Sequence, residues 1–109
     1  LTGRVKDIII RNGENISAQE VEDVLYTLPQ VANAAVIGLP DTERGEMVCA
    51  VIETAEGQSD LTFDEMVAAC ADAGLMKQKT PERLEIHNGP LPRNATMKIL
   101  KYELRELYS

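Results

Sequence analysis

Residues 31–53 read VANAAVIGLPDTERGEMVCAVIE, and the fold turns on them. Two runs, 31–39 and 47–53, are apolar and rich in Val and Ile, the composition of β-strands. Between them lies Pro40-Asp41-Thr42-Glu43-Arg44-Gly45. Pro fixes φ, Asp bonds its own backbone and Gly accepts positive φ, so this segment reads as a connecting loop. The longer run is about half the roughly 20 residues that a membrane-spanning helix needs, so no transmembrane segment is expected.

Upstream, Ile8-Ile9-Ile10 closes a strand that begins near Arg4. Asn12-Gly13 follows, a strong hairpin signal because both residues tolerate positive φ, and residues 14–16 form the return strand. Ser17 and Glu20 have capping-box spacing, with Ile16 and Val21 placed as a hydrophobic staple. Val21, Val24, Leu25 and Leu28 then line one face of a helix that Pro29 stops.

Downstream, Thr62 and Glu65 make a second capping box, stapled by Leu61 and Met66. Met66, Val67, Cys70 and Ala71 give this helix its inner face, and Gly74 ends it. Residues 83–87 alternate as a short strand, with Leu84 and Ile86 inward. Pro90 and Pro92 punctuate a loop, and Leu100, Leu104, Leu107 and Tyr108 share one face of a final helix. The order β-hairpin, α, β, β, α, β, α predicts an α+β fold: a small sheet with an N-terminal β-hairpin and about three packed helices.

With 109 residues, 44% hydrophobic and 27% charged, residues 1–109 suit a single domain and exclude a fibrous or wholly disordered chain. The sequence starts at Leu1 with no signal peptide, and reads as part of something longer. The net charge of -7 argues against nucleic acid as a partner, since phosphates are met by Lys and Arg. The charge is uneven: residues 1–75 carry 4 basic and 14 acidic side chains, residues 76–109 carry 7 and 4. Either this is scatter over solvated faces, or the C-terminal third meets a small anion or an acidic surface. Cys49 and Cys70 have no metal-ligand spacing, and His87 is the one histidine, so no metal site is expected. Buried free thiols in a reducing cytoplasm and a single disulfide both fit these two cysteines.

The catalytic inventory is thin. Neither GxGxxG nor GxxxxGK[ST] occurs, and one histidine on a short strand supports no Ser-His-Asp arrangement. Glu20, Glu22 and Asp23 crowd the first turns of a helix, where the macrodipole favours them. Two loops remain. At Gly13 the missing side chain either lets a ligand approach the backbone or serves a plain turn. In Pro92-Arg93-Asn94-Ala95-Thr96-Met97-Lys98, Lys98 is either a solvated helix-start lysine or a point charge for phosphate and carboxylate oxygens.

Several separated motifs carry a resemblance. Gly3-Arg4-Val5-Lys6-Asp7, Asn12-Gly13-Glu14-Asn15-Ile16-Ser17 and Glu20-Val21-Glu22 come first; Ala34-Ala35-Val36, Gly38-Leu39-Pro40-Asp41 and Gly45-Glu46 follow; Lys79-Thr80-Pro81, Leu91-Pro92-Arg93 and Lys98-Ile99-Leu100-Lys101 end the series. Taken in order, they resemble the C-terminal domain of the adenylate-forming enzymes, and are most similar to that of acyl-CoA synthetases. The resemblance implies a two-step, AMP-forming ligase. A carboxylate and ATP give an acyl-adenylate, and the thiol of CoA then displaces AMP.

In this family the C-terminal domain is a mobile lid that rotates between the two half-reactions over a larger N-terminal domain holding most of the ATP and acyl site. The resemblance gives Lys98 the catalytic role in adenylation and Lys6 the hinge. It sets Gly13 beside the pantetheine tunnel, with Arg4 and Arg93 as supporting residues. ATP and CoA are then substrates, with Mg bound mainly by the absent N-terminal domain, which is also the chief partner. It further implies a cytoplasmic enzyme whose lid is inactive alone. The family usually has glycine before the lysine, whereas Met97 stands here, adding bulk and limiting φ. The alternatives are the lid of a carrier-protein ligase or peptide-synthetase adenylation domain, or a non-catalytic α+β binding module.

Overall fold

The computed structural model describes residues 8–11, 13–43 and 45–108, and the side chains of all of these except 14 and 78. Lys6 and Arg4 lie outside the described residues. The elements are β1 (Ile8–Arg11), β2 (Glu14–Ser17), α1 (Ala18–Leu25), β3 (Val31–Asp41), β4 (Gly45–Thr54), α2 (Phe63–Asp72), a short 3-10 helix (Lys77–Lys79), β5 (Arg83–Ile86) and α3 (Lys101–Tyr108). This is the expected α+β order.

The strand order is β2-β1-β4-β3, and β5 joins β4 in parallel through Cys49–Ile52. The apolar runs at 31–39 and 47–53 are β3 and β4, covered on both faces, which is why their sequence does not alternate. Ala34, Val36, Val48, Ala50 and Ile52 face one core with Val21 and Leu25 of α1 and Met66 of α2. Ala35, Ile37, Leu39, Cys49 and Val51 face a second core closed by Leu91 and by Leu104 of α3. A register shift between Val31 and Asn33 returns Val31 to the first core. Pro40 and Asp41, expected in the loop, extend β3 instead; β3 is an edge strand, where Pro costs no ladder bond.

Both cysteines are free and buried. Burial pushes the Cys49 thiol up to about 12, with nearby Arg83 opposing the shift weakly.

Several expectations shift. The α2 box is complete: Thr62 Oγ1 accepts from Glu65 N at 3.2 Å and Glu65 Oε1 accepts from Thr62 N at 3.0 Å. At α1, Ser17 Oγ accepts from Glu20 N at 3.4 Å, but the Glu20 carboxylate takes Lys79 Nζ at 2.9 Å rather than closing the box. The helix α1 ends at Leu25, and Leu28 packs on the core from the following turn. Only Met66 and Cys70 of α2 are buried; Val67 and Ala71 sit on its outer side, lining an apolar groove with Phe63. Leu107 of α3 is exposed, leaving Leu104 as that helix's buried residue. Gly74, at φ +80°, ends α2 with its N–H on Ala71 O and Leu75 N–H on Cys70 O, a Schellman cap.

Residues 92–100 fold back on themselves before α3. Leu100 N donates to Pro92 O at 2.9 Å, Asn94 N to Lys98 O at 3.0 Å, and Met97 N to Asn94 O at 2.9 Å. A three-residue hairpin loop of this kind needs a left-handed residue at its end. Met97 occupies that position with φ +67°, and among the described residues no other non-glycine has positive φ.

The β3 edge is sealed from α1. Glu22, 7% exposed, accepts Val36 N at 2.8 Å and meets Lys101 Nζ of α3 at 2.7 Å. The Tyr26 hydroxyl donates to Ala34 O at 3.3 Å. Within the acidic cluster, Glu22 and Glu20 therefore both hold tertiary partners, Lys101 and Lys79.

The chain should unfold in one cooperative urea transition, and Glu22→Ala should lower its unfolding free energy by about 2–4 kcal/mol, because one change removes the carboxylate from a buried ammonium and a buried amide. Met97→Val should cost about 1–2 kcal/mol by forcing a β-branched residue to positive φ. Met97→Gly should change stability by less than about 1 kcal/mol, since relief of φ is offset by a more flexible unfolded chain.

Candidate functional site

Lys98 begins the return arm of the 92–100 hairpin and is exposed. Its backbone is fixed although its side chain is free to reach. Asn94 Oδ1 accepts Lys98 N at 3.0 Å, Thr96 N at 3.0 Å and Thr96 Oγ1 at 2.7 Å. The Arg93 guanidinium donates to Met97 O at 2.8 Å. Arg93 thus braces the peptide immediately before Lys98.

The hairpin borders a groove of about 600 Å³ between α1 and α3, over the β3 edge. Gln19, Glu22 and Tyr26 line one wall, Arg93, Asn94 and Lys98 the end, and Lys101, Tyr102 and Arg105 the other wall. Four cations face one carboxylate there, and Glu22 is already engaged with Lys101. The excess of basic residues in the C-terminal third is therefore concentrated in space, which gives this groove a field suited to anions. Among the described residues, no group of three or more His, Cys, Asp and Glu side chains is placed to hold a metal ion.

Gly13 lies elsewhere. It caps the β1–β2 hairpin with φ +79° and is exposed, and among the described residues beyond its chain neighbours no atom lies within 4 Å of where a Cβ would stand. The glycine is required by the backbone, and it also leaves open space beside the turn. Polar contacts fasten this hairpin to the body. Glu46 Oε1 accepts Ile10 N at 2.9 Å, and Arg11 Nε lies 3.2 Å from Glu82 Oε1. The Glu46 carboxylate lies over Gly38, where a Cβ would come within 2.7 Å of its oxygen. Gly38 and Glu46, read above only as motif residues, are thus a matched pair.

Among the sequence-predicted site residues, Lys98 and Arg93 come together on one hairpin, and Gly13 is not part of that groove. Sequence reasoning missed Asn94, Glu22 and Lys101. Asn94 had a signal, since Asn two residues before Thr is a common way to close a turn on the backbone. His87 is half-buried and bonds the Tyr108 hydroxyl through Nδ1 at 2.7 Å, a structural role.

Comparisons with known proteins give the family. Residues 20–98 match the family model for the AMP-binding enzyme C-terminal domain. The 4-chlorobenzoate–CoA ligase of an Arthrobacter species is 45% identical over 106 residues, which is 97% of this chain and 20% of that protein. The medium-chain fatty-acid–CoA ligase of Escherichia coli is 40% identical over 97% of this chain and 19% of its own length. A solved Mycobacterium tuberculosis fatty acyl CoA synthetase superposes with a TM-score of 0.86 at 39% identity, over 97% of this chain and 20% of that one. The chain spans about a fifth of the length of these relatives. With the matched segment running from the first turn of α1 to Lys98 itself, the chain belongs to the family of AMP-binding enzyme C-terminal domains.

Proposed function

We propose that this chain is the lid of an ATP-dependent, AMP-forming acid–CoA ligase, working in the cytoplasm against a larger N-terminal domain. The observation that carries the reading is Lys98: an exposed ammonium on a braced hairpin at the mouth of a basic groove. In the first half-reaction a carboxylate oxygen attacks the α-phosphorus of ATP, an O–P bond forms, and pyrophosphate leaves. Negative charge accumulates on oxygens at that phosphorus. Lys98, carried by its rigid loop, neutralises it at the moment it develops. Arg93 holds the peptide that aims it. Magnesium would be held mainly by the N-terminal domain and would supply charge neutralisation at the phosphates.

In the second half-reaction the CoA sulfur attacks the acyl carbon and AMP departs. The lid presents its other hairpin, and Gly13 leaves a path for the pantetheine arm. Lys6 is the hinge of that rotation, and Arg4 supports it. Both hairpins are built on one rigid body, so a single rotation exchanges Lys98 for Gly13 at the shared site.

The test uses the full-length enzyme that carries this lid. Lys98→Ala should slow adenylate formation, read by pyrophosphate exchange, by about 10²-fold or more. Thioester formation from synthetic acyl-AMP should change far less. Gly13→Leu should do the reverse, with Gly13→Ala as the control for strain at positive φ. The chain alone should release no AMP from ATP, CoA and a panel of carboxylates. Equal loss in both steps for Lys98→Ala, or turnover by the chain alone, would refute the lid assignment.

A further inference from the structure

We infer that Asn94 is a positioning residue for adenylate formation, acting through Lys98; this rests on the function proposed above. The hairpin loop needs a left-handed residue before Lys98, and a methionine supplies it at φ +67°. The left-handed region is sterically disfavoured for an L-residue, so Met97 by itself favours other loop shapes. Something must hold the observed one. The Asn94 carboxamide oxygen is the shared acceptor for three donors: the amides of Thr96 and Lys98 and the Thr96 hydroxyl. Two of the three straddle Met97, so they define its φ and ψ from both sides. Asn94 also brackets the loop with its own backbone, donating to Lys98 O and accepting from Met97 N.

The Lys98 peptide is therefore held on two sides by one residue that lies four positions away and is itself exposed. The bonds its side chain makes all go to Thr96 and Lys98, so they serve the loop. Without the carboxamide, the Lys98 Cα–Cβ direction is free to swing, and an error of about 1 Å at a catalytic group can cost up to about 10²-fold in rate.

The experiment is a double-mutant cycle in the full-length enzyme, read by pyrophosphate exchange. Asn94→Ala should lower kcat for adenylate formation by about 10- to 100-fold with KM for ATP within about threefold. Asn94→Asp, which keeps an acceptor oxygen in place, should recover most of that loss. In a Lys98→Ala background, Asn94→Ala should cost less than about twofold more, because the two losses are one loss. Amide hydrogen exchange at Thr96 and Lys98 should quicken in Asn94→Ala and not in Asn94→Asp, a readout independent of activity. Additive losses in the cycle, or a full-rate Asn94→Ala enzyme, would overturn the inference while leaving Lys98 in its role. A Lys98→Ala enzyme with normal adenylation would instead overturn the underlying function.

Discussion

One carboxylate at a strand edge sets the arrangement of everything around it. A sheet buried on both faces must place α1 and α2 on one side and α3 on the other, and helices on opposite sides cannot pack against each other. They meet only around the open edge of β3. Glu22 closes that route: it takes the Val36 amide of β3 at 2.8 Å and the Lys101 ammonium of α3 at 2.7 Å. Such a carboxylate is worth little on the surface and much where water is scarce, and Glu22 is 7% exposed. It also prevents the edge from offering a free amide to another chain. Lys101 opens α3 three residues after Lys98, so the contact that fixes α3 also fixes the base of the loop carrying the lysine.

The same body bears two hairpins held in different ways. The β1–β2 hairpin inserts Ile9 and Ile16 into the first core and is latched by Glu46 and by the Arg11–Glu82 pair. The 92–100 hairpin packs Ile99 against the second core beside Leu91 and is held by polar bonds from Asn94 and Arg93. For the function proposed above, two separate tips on one domain suit alternation between two half-reactions.

Local signals made most of the frame legible. The apolar runs, the turn at Gly13, the Thr62 capping box and Gly74 each act within a few residues, so their chemistry is visible in a window. What the sequence concealed depends on partners far along the chain. Glu20 has the spacing of a box, yet its carboxylate prefers Lys79, 59 residues away. Val67 looks inward by periodicity, but the stripe that α2 buries is only wide enough for Met66 and Cys70. The parallel pairing of β5 leaves no local mark. At the site, the resemblance supplied Lys98 and Gly13; the physical reasons for Gly38, Glu46 and Asn94 came from geometry.

Met97 departs from the motif's glycine and still supplies the positive φ that the hairpin needs. Glycine before the lysine is the simple answer to a hairpin that needs positive φ, because it costs nothing in the folded state. It also leaves the loop many other shapes. Methionine narrows those shapes while making the required one more costly, by roughly 1–2 kcal/mol. Three hydrogen bonds converging on Asn94 Oδ1, each worth about 0.5–1.5 kcal/mol net, are enough to offset that cost. The Met97 side chain, 66% exposed, meets no steric obstacle. The loop therefore holds its lysine through a polar frame built on Asn94, where a glycine would only have permitted the turn.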